Sequence, residues 1–226
     1  LQSWPGIINF QGFASLSVVT VQPRFVLRKW RSYYTCPLYN NTSGISNTAA
    51  GAEALYNNTS GGYCTAVGWS ALNANTSNSY NSSFGSHSMM NATGAANTAV
   101  GMSALQFMTG GNYNIAIGYQ AGQGSAGATA VSGNILIGSM AGKGILTGAD
   151  FNTIIGDSAG YSLTTAYNNV FIGNKAGYYE TGNSKLFIDY TQRASEADGR
   201  LKALIYGIFN ADPANQILTF NASVRG

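Results

Sequence analysis

Charge is what this chain has least of. Asp, Glu, Lys and Arg make up 8% of its residues, where an ordinary soluble domain has about a quarter. The net charge of +3 is small and scattered, which excludes the dense basic footprint of a nucleic-acid-binding protein. One histidine, His87, and two cysteines are too few for a zinc site, so neither metal nor cofactor is expected. No apolar run approaches the roughly 18 residues that a membrane-spanning helix needs, and no transmembrane segment is expected. The acidic residues are dispersed, and only Asp150 and Asp157 fall near neighbouring coils. A glycosidase needs two carboxylates at controlled spacing, and that pair is the one enzymatic alternative to a non-catalytic protein. Nor is the chain a disordered one, because 45% of it is hydrophobic and the apolar residues are periodic.

What is abundant is repetition. Asn97-Thr98-Ala99-Val100-Gly101-Met102-Ser103-Ala104-Leu105 is the clearest of eight copies of one phrase. Its fifth residue is Gly51, Gly68, Gly85, Gly101, Gly118, Gly138, Gly156 and Gly173, in steps of 16 to 20 residues. The first residue is Asn in every copy but one, which has Cys64, and the eighth is Ala or Ser. Self-similarity at so short a period marks a solenoid, whose units bury apolar surface only by stacking. The expected fold is therefore all-β, a parallel β-solenoid of about eight coils of 16–20 residues.

Within one copy, the three residues before the glycine form a short strand, and strand side chains alternate between faces. The fourth position is apolar throughout, which predicts an internal column of Val67, Phe84, Val100, Ile117, Ile137, Ile155 and Ile172. The glycine predicts a turn at a positive φ, and the small residue three later predicts a narrow interior. With two short strands per period, the coil should flatten into a β-roll. The third position then points outward; it becomes apolar in Leu136, Ile154 and Phe171, which predicts self-association there. Thr48, Thr65, Ser82 and Thr98 form a column that would suit ice contact on an outer face. This register places it inside, and the column turns to Ile115 and Ile135.

Three segments are expected. Residues 1–37 do not follow the repeat and read as N-terminal strands that serve as cap or assembly element. Residues 38–183 are the β-roll. Residues 184–226 read as a C-terminal β-meander cap: a strand with Asp189 in place of the glycine, a polar loop from Thr191 to Arg200, then strands at Leu201 to Phe209 and Gln216 to Val224. Apolar strands at both ends suggest that one of them, the N-terminal one, crosses to a neighbouring copy. Cys36 and Cys64 leave two readings open: a disulfide, as suits an exported chain, or two small buried residues.

Several motifs tempt a chemical reading. Gly156-Asp157-Ser158-Ala159-Gly160 matches a nucleophile elbow, but the same slots recur as Gly118-Tyr119-Gln120-Ala121-Gly122 without a serine, and His87 lies several coils away. Gly122-Gln123-Gly124-Ser125-Ala126-Gly127 matches the dinucleotide glycine pattern without the strand and helix it requires. Asn-x-Ser/Thr acceptor patterns occur at Asn40, Asn41, Asn57, Asn58, Asn75, Asn81, Asn91 and Asn221.

The phrases Asn-Thr-Ala-Val-Gly-x-x-Ala-Leu and Asn114-Ile-Ala-Ile-Gly-Tyr-Gln-Ala-Gly122 resemble the head repeats of trimeric autotransporter adhesins and of related tail-fibre-like bacterial surface proteins. Lys185-Leu186-Phe187-Ile188-Asp189 with Leu204-Ile205-Tyr206-Gly207 is similar to the piece that closes such repeats. The resemblance implies a left-handed parallel β-roll and an extracellular, cell-surface or virion-fibre location. The start at Leu1 is what a processed exported chain would show, and equally what a trimmed one would. The expected function is a structural, non-enzymatic fibre subunit whose partners are copies of itself, in filaments or trimers. The alternative is an adhesive or receptor-binding head, of a trimeric adhesin or phage tail fibre, that contacts cell-surface glycans.

Overall fold

A computed structural model describes residues 18–21, 36–125 and 130–222. One sheet of twelve strands runs through it in sequence order. β1 (Val18–Val21) lies antiparallel on β2 (Asn47–Ala50). Thereafter each repeat contributes one three-residue strand: β3 (Thr65–Val67), β4 (Ser82–Phe84), β5 (Thr98–Val100), β6 (Ile115–Ile117), β7 (Ile135–Ile137), β8 (Thr153–Ile155) and β9 (Val170–Ile172). These pair in parallel with equivalent residues in register, so Ala99 lies beside Ser83 and Ala116. β10 (Lys185–Ile188) continues the parallel stack, and β11 (Ile205–Ile208) and β12 (Ile217–Phe220) finish it as an antiparallel meander. The protein is a β-solenoid of about eight coils with strands added at both ends. β1 pairs within its own chain, where the sequence suggested a crossing to a neighbour; the rest of the segment before Cys36 lies outside the described residues.

The expected second strand per coil is absent among the described residues, and turns take its place. The residues two and four after the corner glycine sit at positive φ, as at Ser103 (58°) and Leu105 (51°). Each turn is bonded to the next coil, for example from Leu105 N–H to Ala121 O at 3.0 Å. The corner glycines stack on one another. At Gly85 φ is 132°, and an added Cβ would lie 2.7 Å from Gly101 O. Two conditions therefore require glycine there: a conformation that L side chains avoid and backbone contact between coils.

The face assignment read from the sequence is inverted. Ala49, Ala66, Ser83, Ala99, Ala116, Leu136, Ile154 and Phe171 are fully buried, whereas Val67, Phe84, Val100, Ile117, Ile155 and Ile172 are 37–40% exposed and Ile137 is half-buried. The expected internal column is the outer face of the sheet. Leu136, Ile154 and Phe171 are core residues, with no surface to offer another subunit. The reason is width: the coil is so narrow that two walls nearly touch, and on the strand wall only Ala or Ser fits opposite Leu55, Leu72, Met89 or Leu105. From coil five the walls exchange roles. Gly122, Gly142, Gly160 and Gly177 replace the leucines, and Leu136, Ile154 and Phe171 fill the space; a Cβ on Gly160 would meet Ile154 Cδ1 at 2.9 Å and Phe171 Cδ2 at 3.1 Å.

The first-position asparagines form an internal ladder. Asn97 Nδ2 donates to Gly111 O at 2.8 Å, while its Oδ1 accepts from Asn114 N–H at 2.9 Å and from Asn114 Nδ2 at 3.0 Å. The pattern continues through Asn134, Asn152 and Asn169 to Lys185 N–H. Each amide thus satisfies two buried backbone groups of the following coil, a carbonyl and an N–H, where an unpaired donor or acceptor would cost about 1–3 kcal/mol. This ladder explains why the phrase begins with Asn.

A short helix, α1 (Glu196–Lys202), lies in what the sequence suggested was a polar loop. Ser195 caps it by accepting from Asp198 N–H, and its acidic first turn and basic last turn suit the helix dipole. Pairs between Glu196 and Arg200 and between Asp198 and Lys202 bridge its turns.

Candidate functional site

The residues that tempted a catalytic reading all have structural employment. Ser158, at φ 52° in the stacked turn, gives its N–H to Ser139 O and its hydroxyl to Asp157 Oδ2 at 3.1 Å. Asp150 Oδ1 accepts from Ser132 N–H at 2.7 Å, tying two coils together. His87 Nδ1 lies 3.2 Å from Ser86 Oγ, and its ring meets Trp69 edge-on at 4.3 Å. Neither histidine contact brings it to Ser158. The glycine loop reaches residues 126–129, which lie outside the described residues. Among the described residues no group of three His, Cys, Asp or Glu gathers as metal ligands would. No described helix is long and apolar enough to cross a membrane.

Cys64 occupies the slot that Asn takes elsewhere. Its N–H donates to Asn47 Oδ1 at 2.9 Å, and its Sγ lies 3.5 Å from Gly62 O and 3.4 Å from Asn78 O. Burial pushes this thiol's pKa up. In this structure Cys64 and Cys36 are not joined in a disulfide, one of the two open readings; the Cys64 sulfur faces the Gly62 and Asn78 carbonyls. Of the sequon asparagines, Asn58, Asn75 and Asn81 are fully buried, Asn81 in the ladder and the other two bonded to Gly61 O and Asn78 O, so none of these three can carry a glycan on the folded chain.

The C-terminal end holds the densest charge. Glu180 is 1% exposed, at the end of a buried column that reads Asn58, Asn75, Ala92, Met108, Ile145 and Leu163 in the earlier coils, the fifth excepted, where Ser125 is exposed. Arg200 from α1 donates to it twice, from Nε at 2.8 Å and Nη2 at 2.7 Å, and also pairs with Glu196. Burial alone would raise the Glu180 pKa, but hydrogen bonds from Arg200 and Gly182 N–H hold it below the ordinary value. The same bonds raise the Arg200 pKa. Beside this latch Arg193 makes a two-point contact with Asp189, at 2.7 Å each. The cleft between Tyr179, Glu180, Asp189, Arg193 and Glu196 admits no more than a water-sized volume of about 10 Å³.

The surfaces that remain available are apolar and aromatic. The outer sheet face carries the Val67-to-Ile172 column beside Thr48, Thr65, Ser82 and Thr98. These threonines and serine point outward too, contrary to the expected register, although the column still gives way to Ile115 and Ile135. A second row, one residue before the first position of the phrase, projects Tyr63, Tyr80, Tyr113 and Phe151 from four of the coils, all more than half exposed. Sequence reasoning overlooked this row; its signal was the aromatic residue five before Gly68, Gly85, Gly118 and Gly156.

Comparison of the chain with protein-family models, with curated proteins and with solved structures gives no match. The fold defines the class: a β-solenoid repeat protein.

Proposed function

We propose that the chain is a structural, non-enzymatic subunit of an extracellular fibre, built by association of copies of itself. One observation carries this reading. The sheet ends in β12, where Ile217, Leu218 and Phe220 are each more than half exposed, so an edge strand offers apolar side chains on both faces. Such an edge recruits another strand. Among the described residues the other end strand is β1, and pairing of β12 with β1 of the next copy extends one sheet from subunit to subunit. A head-to-tail contact that does not close on itself makes a filament. The outer column of Val100, Ile117, Ile155 and Ile172 supplies a lateral contact, in place of Leu136, Ile154 and Phe171.

Negative-stain microscopy and light scattering test it. The parent protein should form long uniform filaments, and Leu218→Lys with Phe220→Lys should leave single subunits of native circular dichroism. Discrete particles from the parent, unchanged by those substitutions, overturn end-to-end pairing. The exposed tyrosine row favours a second reading: an adhesive head, as in a trimeric adhesin or phage tail fibre, that contacts cell-surface glycans. Discrete trimers that bind an immobilised glycan array would favour it.

A further inference from the structure

Four successive coils place a side chain at the same point of the outer surface. The N–H groups of Tyr63, Tyr80, Ala96 and Tyr113 donate to the preceding coil at Ile45, Gly62, Ser79 and Ala95 O, at 2.9–3.2 Å. Their φ angles are 57°, 64°, 56° and 58°. These side chains therefore leave the backbone in register, one per coil. Tyr63 and Tyr80 show what the register does to rings: they stack with centroids 5.3 Å apart and planes 7° from parallel. Ala96 interrupts the row with a methyl group, and Tyr113 resumes it. Coils separated by about 4.8 Å put the Tyr80 and Tyr113 ring planes roughly 10 Å apart. Stacked rings prefer centroid separations of about 4.5–7 Å, so this gap takes one ring, in contact with both faces. Tyr80 and Tyr113 are 64% and 73% exposed, which leaves those faces open to solvent.

The surroundings select the ligand. Between Glu53 and Lys143 the chain contains no Asp, Glu, Lys or Arg, so the coils that line the gap bring no charged side chain to it. Its floor is the Ala96 methyl. At its rim, Asn112 accepts from Ala95 N–H through Oδ1 at 2.7 Å, which directs the amide N–H groups of that side chain toward other acceptors. Two flat apolar walls with a neutral polar rim match a pyranose ring, whose faces carry C–H groups and whose edge carries hydroxyls. We propose that Tyr80 and Tyr113 form a clamp over Ala96 that binds one ring of a neutral saccharide. The proposal rests on the adhesive reading and gives it a site; it is independent of end-to-end pairing.

The test is calorimetric titration of the full chain with chitohexaose, cellohexaose and maltohexaose. At least one should bind, and Tyr113→Ala should weaken it about tenfold. Ala96→Tyr is the sharper variant. Tyrosine already occupies this backbone conformation on the neighbouring coils, so the variant should fold with an undiminished melting temperature, fill the gap with its own ring and abolish binding. Binding that survives both substitutions overturns the clamp while leaving an adhesive protein with another site. No binding to any of the three sugars overturns the clamp, and the glycan array then decides the adhesive reading separately. If instead Ala96→Tyr dissociates an oligomer without altering sugar binding, the gap holds a side chain of a second copy, and the proposal is wrong.

Discussion

The first four coils and the last three have the same backbone and opposite cores. In coils one to four the strand wall is thin (Ala49, Ala66, Ser83, Ala99) and the turn wall thick (Leu55, Leu72, Met89, Leu105). In coils six to eight the strand wall is thick (Leu136, Ile154, Phe171) and the turn wall is glycine. Coil five is the joint, with Ala116 opposite Gly122, and a Cβ there would lie 2.5 Å from Leu136 Cδ1 and 2.9 Å from Leu105 Cδ2. Large residues from both neighbours fill what it leaves open. The lesson concerns volume: the fold fixes the sum across the coil and is indifferent to which wall supplies it, as close packing requires.

The most damaging way to break this equivalence is to charge the thin wall. Ala99→Asp places a carboxylate with no partner between two walls in contact, and the chain should fail to fold, or lose more than about 4 kcal/mol in denaturant melts. Retention of the parent midpoint would refute the assigned faces.

The two ends of the buried column seven residues past each glycine differ as well. At the start, Asn58 donates to Asn41 Oδ1 at 2.7 Å and Asn75 to Asn58 Oδ1 at 2.9 Å, until Ala92 leaves Asn75 Oδ1 without a partner. At the far end, Glu180 depends on Arg200. Arg200→Ala should destabilise the cap by about 2–4 kcal/mol at pH 7, because it leaves a buried carboxylate unpaired. Glu180 has a depressed folded pKa, so the unfolded state binds its proton more readily. The latch is therefore fully present above the ordinary glutamate range, about pH 4.3, and is lost as pH falls through the lower folded value. Protection of β11 amides against hydrogen exchange, corrected for the intrinsic pH dependence of exchange, should fall in acid in the parent and change less with pH in Glu180→Gln; equal acid sensitivity would remove Glu180 from this role.

A milder test transplants one solution onto the other. Ala99→Leu should overpack coil four by about 1–3 kcal/mol, and adding Leu105→Gly should recover much of that loss, a coupling of about 1 kcal/mol or more in a double-mutant cycle. Strict additivity would mean that the walls do not share volume. The smallest effect belongs to the outer face. Val100→Asp, at a position 38% exposed, should shift monomer stability by no more than about 0.5–1 kcal/mol, although one residue away the same change is ruinous.

The period, the number of coils, the corner glycines and the decay of the phrase at Asp189 were all legible in the residue order, because each repeats a local condition that only certain residues meet. Gly85 can be nothing larger at φ 132° against the next coil, and that constraint recurs at every corner. The inside of the strand was not legible. Thr98-Ala99-Val100 alternates as any strand does, and hydrophobicity points to Val100; only the tertiary structure shows that the opposite wall stands too close for anything larger than Ala99. The α1 helix was hidden for a related reason: its eight-residue stretch from Ser195 to Lys202 is polar and holds Gly199, and what makes it a helix is a cap, two internal ion pairs and Arg200 reaching Glu180 across 20 residues. Local rules set the repeat, since each coil meets them alone. Distances between coils and walls set the faces, since burial is decided by what stands opposite.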